Sequence, residues 1–219
     1  MAVQELEGKR SSWKERVVRY DREHKQATRQ RIISSAGPRL KRDGIDGSGV
    51  ATLMADAGLT NGAFYAHFES KDDLVATVVA DQLRVQGERL GALTPGRAGV
   101  EQFLRRYLSV EHRDNREDGC PSAALLDEIG RCTDATKKAY TDGLLAMADD
   151  VAAHLAPHDP QSARVTVLGV FAMVIGTLQL SRALADPQLA DAVLEQGIQN
   201  ALAALGAERR KRSAERKQR

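Results

Sequence analysis

Six residues between positions 60 and 67 are short or polar: Thr60, Asn61, Gly62, Ala63, Tyr65 and His67. They surround two aromatic anchors four apart, Phe64 and Phe68. Residues at that spacing share one side of a helix, so the two phenyl rings face a core and their neighbours face outward. Hydroxyl, amide and imidazole groups presented this way reach phosphate oxygens and base edges, and small neighbours let the backbone sink into a groove. The chemistry on offer is recognition of double-stranded DNA.

The element that must hold this face lies just upstream. Val50, Leu53, Met54 and Ala57 recur at i, i+3, i+4 and i+7, the period of one helix face. Gly58 follows, a residue suited to the left-handed conformation after a helix end. Thr60 or Asn61 can cap a second short helix. Together these features predict a helix-turn-helix, with residues 60–68 as the recognition helix. Ser48 before the first helix and Lys71 after the second complete the candidate DNA-contacting set of Ser48, Thr60, Asn61, Gly62, Tyr65, His67 and Lys71.

The stretch closely resembles the TetR/AcrR family of bacterial transcriptional regulators. The resemblance is carried by Gly44, Leu53, Ala57-Gly58-Leu59, Phe64-Tyr65-Ala66-His67-Phe68 and Ser70-Lys71-Asp72-Asp73-Leu74. The aromatic-rich recognition helix running into a Ser-Lys-acidic-Leu start is the specific part. Two positions depart from the pattern. Gly49 stands where the family often has a capping Thr, which leaves Ser48 to cap, and Met54 replaces a common Ala where the helices cross. The match is strong over about residues 28–76, and GCPSAALLDEIGR from Gly119 resembles a stretch seen in part of the family. The resemblance implies phosphate contacts for Tyr65, His67 and Lys71, with Thr60 and Asn61 nearest the base edges.

Composition agrees with an all-α protein: 42% hydrophobic but only 4% aromatic residues, with few β-branched alternations. The net charge of +2 hides a segregation. Residues 1–47 carry 12 Lys/Arg against 7 Asp/Glu, residues 207–219 carry 7 against 2, and the stretch between carries 13 against 21. Basic ends around an acidic body favour a polyanion at the ends, although such a C-terminal run is often only a solvated tail. The first thirty residues lack an apolar signal region, and two cysteines are too few for a disulfide framework, so a reducing cytoplasm is the expected setting.

Four segments are expected. Residues 1–27 form a basic extension, in which Trp13, Val17 and Tyr20 lie at helical spacing and Arg22 and Lys25 are the better phosphate candidates. It could pack as an amphipathic helix, lie in a groove, or remain a mobile tail. Residues 28–70 form the helix-turn-helix domain, with its first helix over Thr28–Lys41 and an irregularity at Gly37-Pro38. Residues 71–206 form a helical ligand-binding and dimerisation domain, and residues 207–219 a basic tail. Further helices are expected over Ser70 to Leu90, Gly99 to Arg113, Ala123 to Ile129, Thr133 to Ala156, Val165 to Leu180 and from Pro187. Thr94-Pro95-Gly96 and Pro157 mark breaks. Nine helices in this order, three for DNA and six for ligand and dimer, are what the resemblance implies.

Val165–Leu180 is almost wholly apolar but short of the roughly 20 residues a membrane span needs. A helix apolar on all sides suits a place between a core and a subunit partner, and no membrane partner is expected. The resemblance implies a homodimer through residues 161–205, where Gly169, Ala172 and Gly176 permit close approach and Leu178, Val193, Leu194 and Ile198 could fill the seam. A small-molecule effector is expected near Phe103, Tyr107, Cys120, Leu125, Asp127, Met147 and Phe171, although each of these also reads as core. Cys120, just before a helix start, is either an inert small hydrophobe or a thiol sensitive to electrophiles or oxidants.

An enzyme is disfavoured. There is no H-E-x-x-H, P-loop, G-x-S-x-G or paired C-x-x-C, and the five histidines form no spaced ligand set. No cofactor or metal is expected. A DNA-binding protein without any ligand is the remaining alternative.

Overall fold

A computed structural model describes residues 2–92, 97–155 and 159–217, with the side chains of 2–19, 21, 97, 154, 162 and 207–217 outside the description. The breaks expected at Thr94-Pro95-Gly96 and Pro157, and the side chains of Trp13, Val17 and the basic tail, therefore lie outside it. Among the described residues all regular structure is helical: α1 (Ala2–Asp43), α2 (Val50–Asp56), a 3-10 helix (Asn61–Ala66), α3 (Lys71–Gly91), α4 (Arg97–Tyr107), α5 (Val110–Asp114), α6 (Pro121–Arg131), α7 (Asp134–Leu155), α8 (Pro160–Ala183) and α9 (Pro187–Lys217). The fold is all-α, as expected.

Local chemistry accounts for many of the boundaries. Gly44 ends α1 at φ 82°, and its N–H returns to the Leu40 carbonyl at 2.9 Å. The positive φ favours glycine here, and a side chain at Gly44 would stand 2.9 Å from a Glu128 carboxylate oxygen, which would have to shift. Ser70 caps α3 by accepting the Asp73 N–H, while the Asp73 carboxylate accepts the Glu69 N–H, both at 3.1 Å. This is a reciprocal cap on the capping-box principle.

Three expectations are corrected. The first helix starts at Ala2 and not at Thr28, so the N-terminal extension continues α1 as one helix. Pro38 lies inside this helix, where the buried Ile32, Ile33, Ala36 and Leu40 hold it on both sides of the missing donor. The helix expected over Gly99–Arg113 is two, because Ser109 accepts the His112 N–H at 3.1 Å and starts α5 afresh. Finally α9 continues to Lys217, past the expected end near Leu205.

Two cores result. One joins Ile32, Leu40, Leu53, Met54, Phe64, Phe68 and Leu74 to Leu83, Leu125, Ile129, Met147 and Phe171, so the first helices and those that follow share a continuous apolar interior. The other gathers Leu104, Tyr107, Leu108, Cys120, Val174, Leu178, Leu194 and Ile198 between α4, α6, α8 and α9. Leu178, Leu194 and Ile198 are thus buried within the chain and do not form a subunit seam. Val165, Gly169, Ala172, Gly176 and Leu180 are exposed along α8, together with Gln161, Gln179 and Ala183.

Candidate nucleic-acid interface

The recognition element is tighter than expected, a 3-10 helix over Asn61–Ala66 with Thr60 at its N-cap and no side-chain capping bond. Phe64 and Phe68 anchor it: both are buried, with ring centroids 5.8 Å apart. Tyr65 sets its ring edge-on to Phe64 at 5.2 Å and is 76% exposed, which points its hydroxyl outward. Thr60, Asn61 and Gly62 are exposed on the same element. With no regular α-helical turn to hold it, this short piece depends on its aromatic anchors for position.

Arg29, which the sequence did not single out, supplies a further constraint. Its guanidinium lies 4.0 Å above the Phe68 ring, donates to the His67 carbonyl at 2.6 Å and reaches the Thr77 hydroxyl at 3.2 Å. One side chain of α1 thereby pins the end of the recognition element to α3. The contact spans 38 residues, and no local pattern signals it. A second arginine, Arg39, grips the Asp56 carboxylate through two nitrogens at 2.6 and 2.7 Å and ties α1 to α2.

His67 is half-buried, and its Nδ1 has no hydrogen-bond partner among the described residues. Burial, with the charges of Lys25 and Arg29 adding to it, pushes the imidazole pKa below its ordinary value. Lys71 opens α3 and is half-buried.

Ser48 does not belong to this face. It is 0% exposed, and its hydroxyl donates to the Gly44 carbonyl at 2.7 Å. Gly49 is the N-cap of α2, with no side-chain capping bond. Ser48 instead closes the turn after α1, because a buried hydroxyl must find an acceptor nearby.

The expected effector residues separate into groups. Phe103 and Tyr107 pack with ring centroids 5.5 Å apart, and Tyr107 meets the His112 ring edge-on at 4.8 Å. His112 accepts the Cys120 N–H on Nε2 at 3.0 Å, so its Nδ1–H donates to the Tyr107 carbonyl at 2.7 Å. Cys120 is buried at the head of α6. The Tyr107 hydroxyl is buried without a hydrogen-bond partner among the described residues, and burial pushes its pKa well up. Leu125, Met147 and Phe171 lie in the other core, which Phe103 also touches. Asp127 faces solvent and pairs with Arg131 one turn on, so it cannot line an interior site.

Between these regions and the head runs a set of polar contacts invisible in the sequence. The Glu128 carboxylate of α6 accepts the N–H groups of Ile45 at 2.7 Å and Asp46 at 3.2 Å, just after α1. Lys41 of α1, 4% exposed, donates to the Gly119 carbonyl at 2.8 Å, and burial pulls its pKa down to about 8. Arg42 meets Glu117 at 3.3 Å. Arg182 of α8 anchors the same region by donating to the carbonyls of His112, Arg113 and Ala123 at 2.8–3.0 Å.

Two short helices on buried anchors, presenting short polar residues on their outer side, have the arrangement of a helix-turn-helix, a motif that places its second helix in the major groove of DNA. Residues 32–78 match the family of bacterial regulatory proteins described as the tetR family. The fold is similar to the reduced form of NemR from E. coli (TM-score 0.67, 15% identity, covering 80% of this chain and 95% of that one). It is also similar to a TetR-family transcriptional regulator from Agrobacterium tumefaciens (0.64, 19%, 80% and 98%). FadR from Bacillus subtilis in complex with stearoyl-CoA is a third similar structure (0.60, 13%, 80% and 98%). No match is found among curated proteins. Residues 32–78 thus match the DNA-binding domain of the tetR family, and the chain as a whole shares its fold with solved TetR-family regulators.

Proposed function

We propose that this regulator is a cytoplasmic homodimeric repressor that binds a near-palindromic operator and is released by a small-molecule effector. The observation that carries the reading is the exposed set Thr60, Asn61, Gly62 and Tyr65, held on the fully buried Phe64. His67 and Lys71 flank this set, and the assignment gives them phosphates, with base edges to Thr60 and Asn61.

The homodimer is supported by the outer face of α8. Val165, Gly169, Ala172, Gly176 and Leu180 are exposed at helical spacing, with Val165 77% exposed. Ala163–Ala183 is long and apolar enough to cross a membrane by length and composition alone, with a mean hydropathy of 1.7. Its other face carries Val167, Val174 and Leu178 into the two cores. One apolar face inside the chain and one outside, the latter lined by small residues, fits a second copy in which backbones approach closely. A two-fold dimer presents its recognition elements about one DNA turn (~34 Å) apart, and the operator mirrors that symmetry.

Within each chain the reading divides a head over residues 28–70 from a body over 71–206. The effector is assigned to the body, around Phe103, Tyr107, Leu125, Met147 and Phe171. Glu128 and Lys41 then pass a shift of α6 to the end of α1, and thence to the recognition element. The burial of Cys120 at 6% exposure supports the role of a small core residue over that of a reactive thiol. Selection of bound DNA from a random pool, followed by a ligand screen against the complex, tests the whole reading. A palindromic consensus and a saturable ligand-driven release are expected; enrichment of no sequence contradicts it.

A further inference from the structure

We infer that the exposed basic side of α1 preceding the head, carried by Arg22 and Lys25, is a second DNA-contacting surface that grips phosphates beyond those reached by the recognition element. The inference rests on the DNA-binding reading above and adds a surface to it.

The direction of α1 carries the argument. Its C-terminal end faces the body, where Lys41 meets Gly119 and the following turn meets Glu128. Moving toward the N-terminus, the helix reaches Arg29 at the His67 carbonyl and the Phe68 ring. Lys25 follows one turn further on, near enough for its charge to act on the His67 imidazole. The stretch of α1 from Arg29 to Lys25 thus lies beside the end of the recognition element where His67 stands.

Spacing places the charges together. At 3.6 residues per turn, Arg22, Lys25 and Arg29 fall within about 60° of one another, and 1.5 Å per residue spreads them over roughly 10 Å of helix. Their roles differ. The Arg29 guanidinium is committed to the His67 carbonyl, the Thr77 hydroxyl and the Phe68 ring. Arg22 and Lys25 are exposed and form no ion pair among the described residues. Glu23, also exposed, lies about 100° round the helix from Arg22 and further from Lys25. A pair of exposed cations without ion pairs among the described residues, beside the His67 imidazole, fits the DNA backbone, which carries a charge about every 1.7 Å of axis.

The test is the salt dependence of binding by the full-length protein to its selected operator. Each phosphate contact contributes about 0.9 to the slope of log K against log salt. Arg22→Ala and Lys25→Ala are each expected to make the slope shallower by about 0.9, and the double variant by about 1.8. Their loss of affinity should be alike for operator and unrelated duplex, because phosphates carry no sequence. Arg29→Ala is the internal control: it should weaken operator binding about tenfold with the slope unchanged, as a positioning residue acting through His67 and Phe68. Both surface substitutions leave buried contacts intact, and Lys25→Gln serves as a second variant that keeps the side-chain length. Wild-type slope in the double variant overturns the inference while leaving the DNA-binding reading standing; absence of salt-dependent binding by the wild type overturns both.

Discussion

Replacing Glu128 by Ala should loosen the head from the body. The carboxylate accepts two backbone N–H groups, from Ile45 at 2.7 Å and Asp46 at 3.2 Å. Ile45 is buried, so its donor has no ready access to water once the acceptor is gone, whereas the exposed Asp46 can be solvated. A hydrogen bond to a charged acceptor contributes about 1.5–3 kcal/mol, and the longer, solvated one adds little, so the expected loss is about 2 kcal/mol. That is roughly a thirtyfold change in the equilibrium for opening the turn after α1. Amide hydrogen exchange at Ile45 reads this opening directly, and it should accelerate by about that factor while exchange in α9 stays unchanged. Glu128→Gln keeps an acceptor oxygen without the charge and should fall between the two. If exchange at Ile45 is the same in Glu128→Ala as in the wild type, the carboxylate does not hold the turn and the coupling route is wrong.

Three further outcomes are expected. Phe64→Ala removes a fully buried ring at the centre of the head and should cost about 3–5 kcal/mol, read as a lowered urea midpoint with loss of operator binding. Lys71→Ala should weaken binding evenly across sequences and reduce the salt slope by about 1, as a phosphate contact does. His112 gives a pH signature. Burial, with the Arg182 and Lys41 charges adding to it, holds its pKa below the ordinary value against the opposing hydrogen bond to the Tyr107 carbonyl. As pH falls below about 6.5 the unfolded chain takes up a proton that the folded imidazole refuses, so stability present above that pH is lost below it. The urea midpoint should therefore drop between pH 7.5 and 5.5 by more in the wild type than in His112→Asn, the remaining drop including the similarly depressed His67.

The DNA-binding head was legible because its signals are local. Phe64 and Phe68 four apart, Gly58 after an apolar run, and Ser70 before two aspartates each act within a turn of the chain, and each appears where its chemistry requires. The same locality explains the misses. Ser48 looked like a cap from its position, but only the fold shows the Gly44 carbonyl that takes its hydroxyl. Asp127 is expected near the effector, yet the helix turns it toward Arg131 and solvent. Leu178, Leu194 and Ile198 read as seam residues because hydrophobicity does not say which side of a helix meets its own chain. Arg29, Lys41 and Glu128 act across 38, 78 and 83 residues, and no spacing rule reports a contact of that kind.

The central claim is that the outer side of residues 60–71 meets DNA from two copies at once. Hydroxyl-radical protection of the selected operator tests it directly, comparing the wild type with an Asn61→Ala, Tyr65→Ala double variant. Both replaced side chains are exposed, so helicity and melting should be unchanged. The wild type should protect two symmetric patches about one helical turn apart, and the variant should protect neither at the same concentration. Full protection by the variant, or a single patch with the wild type, would contradict the account.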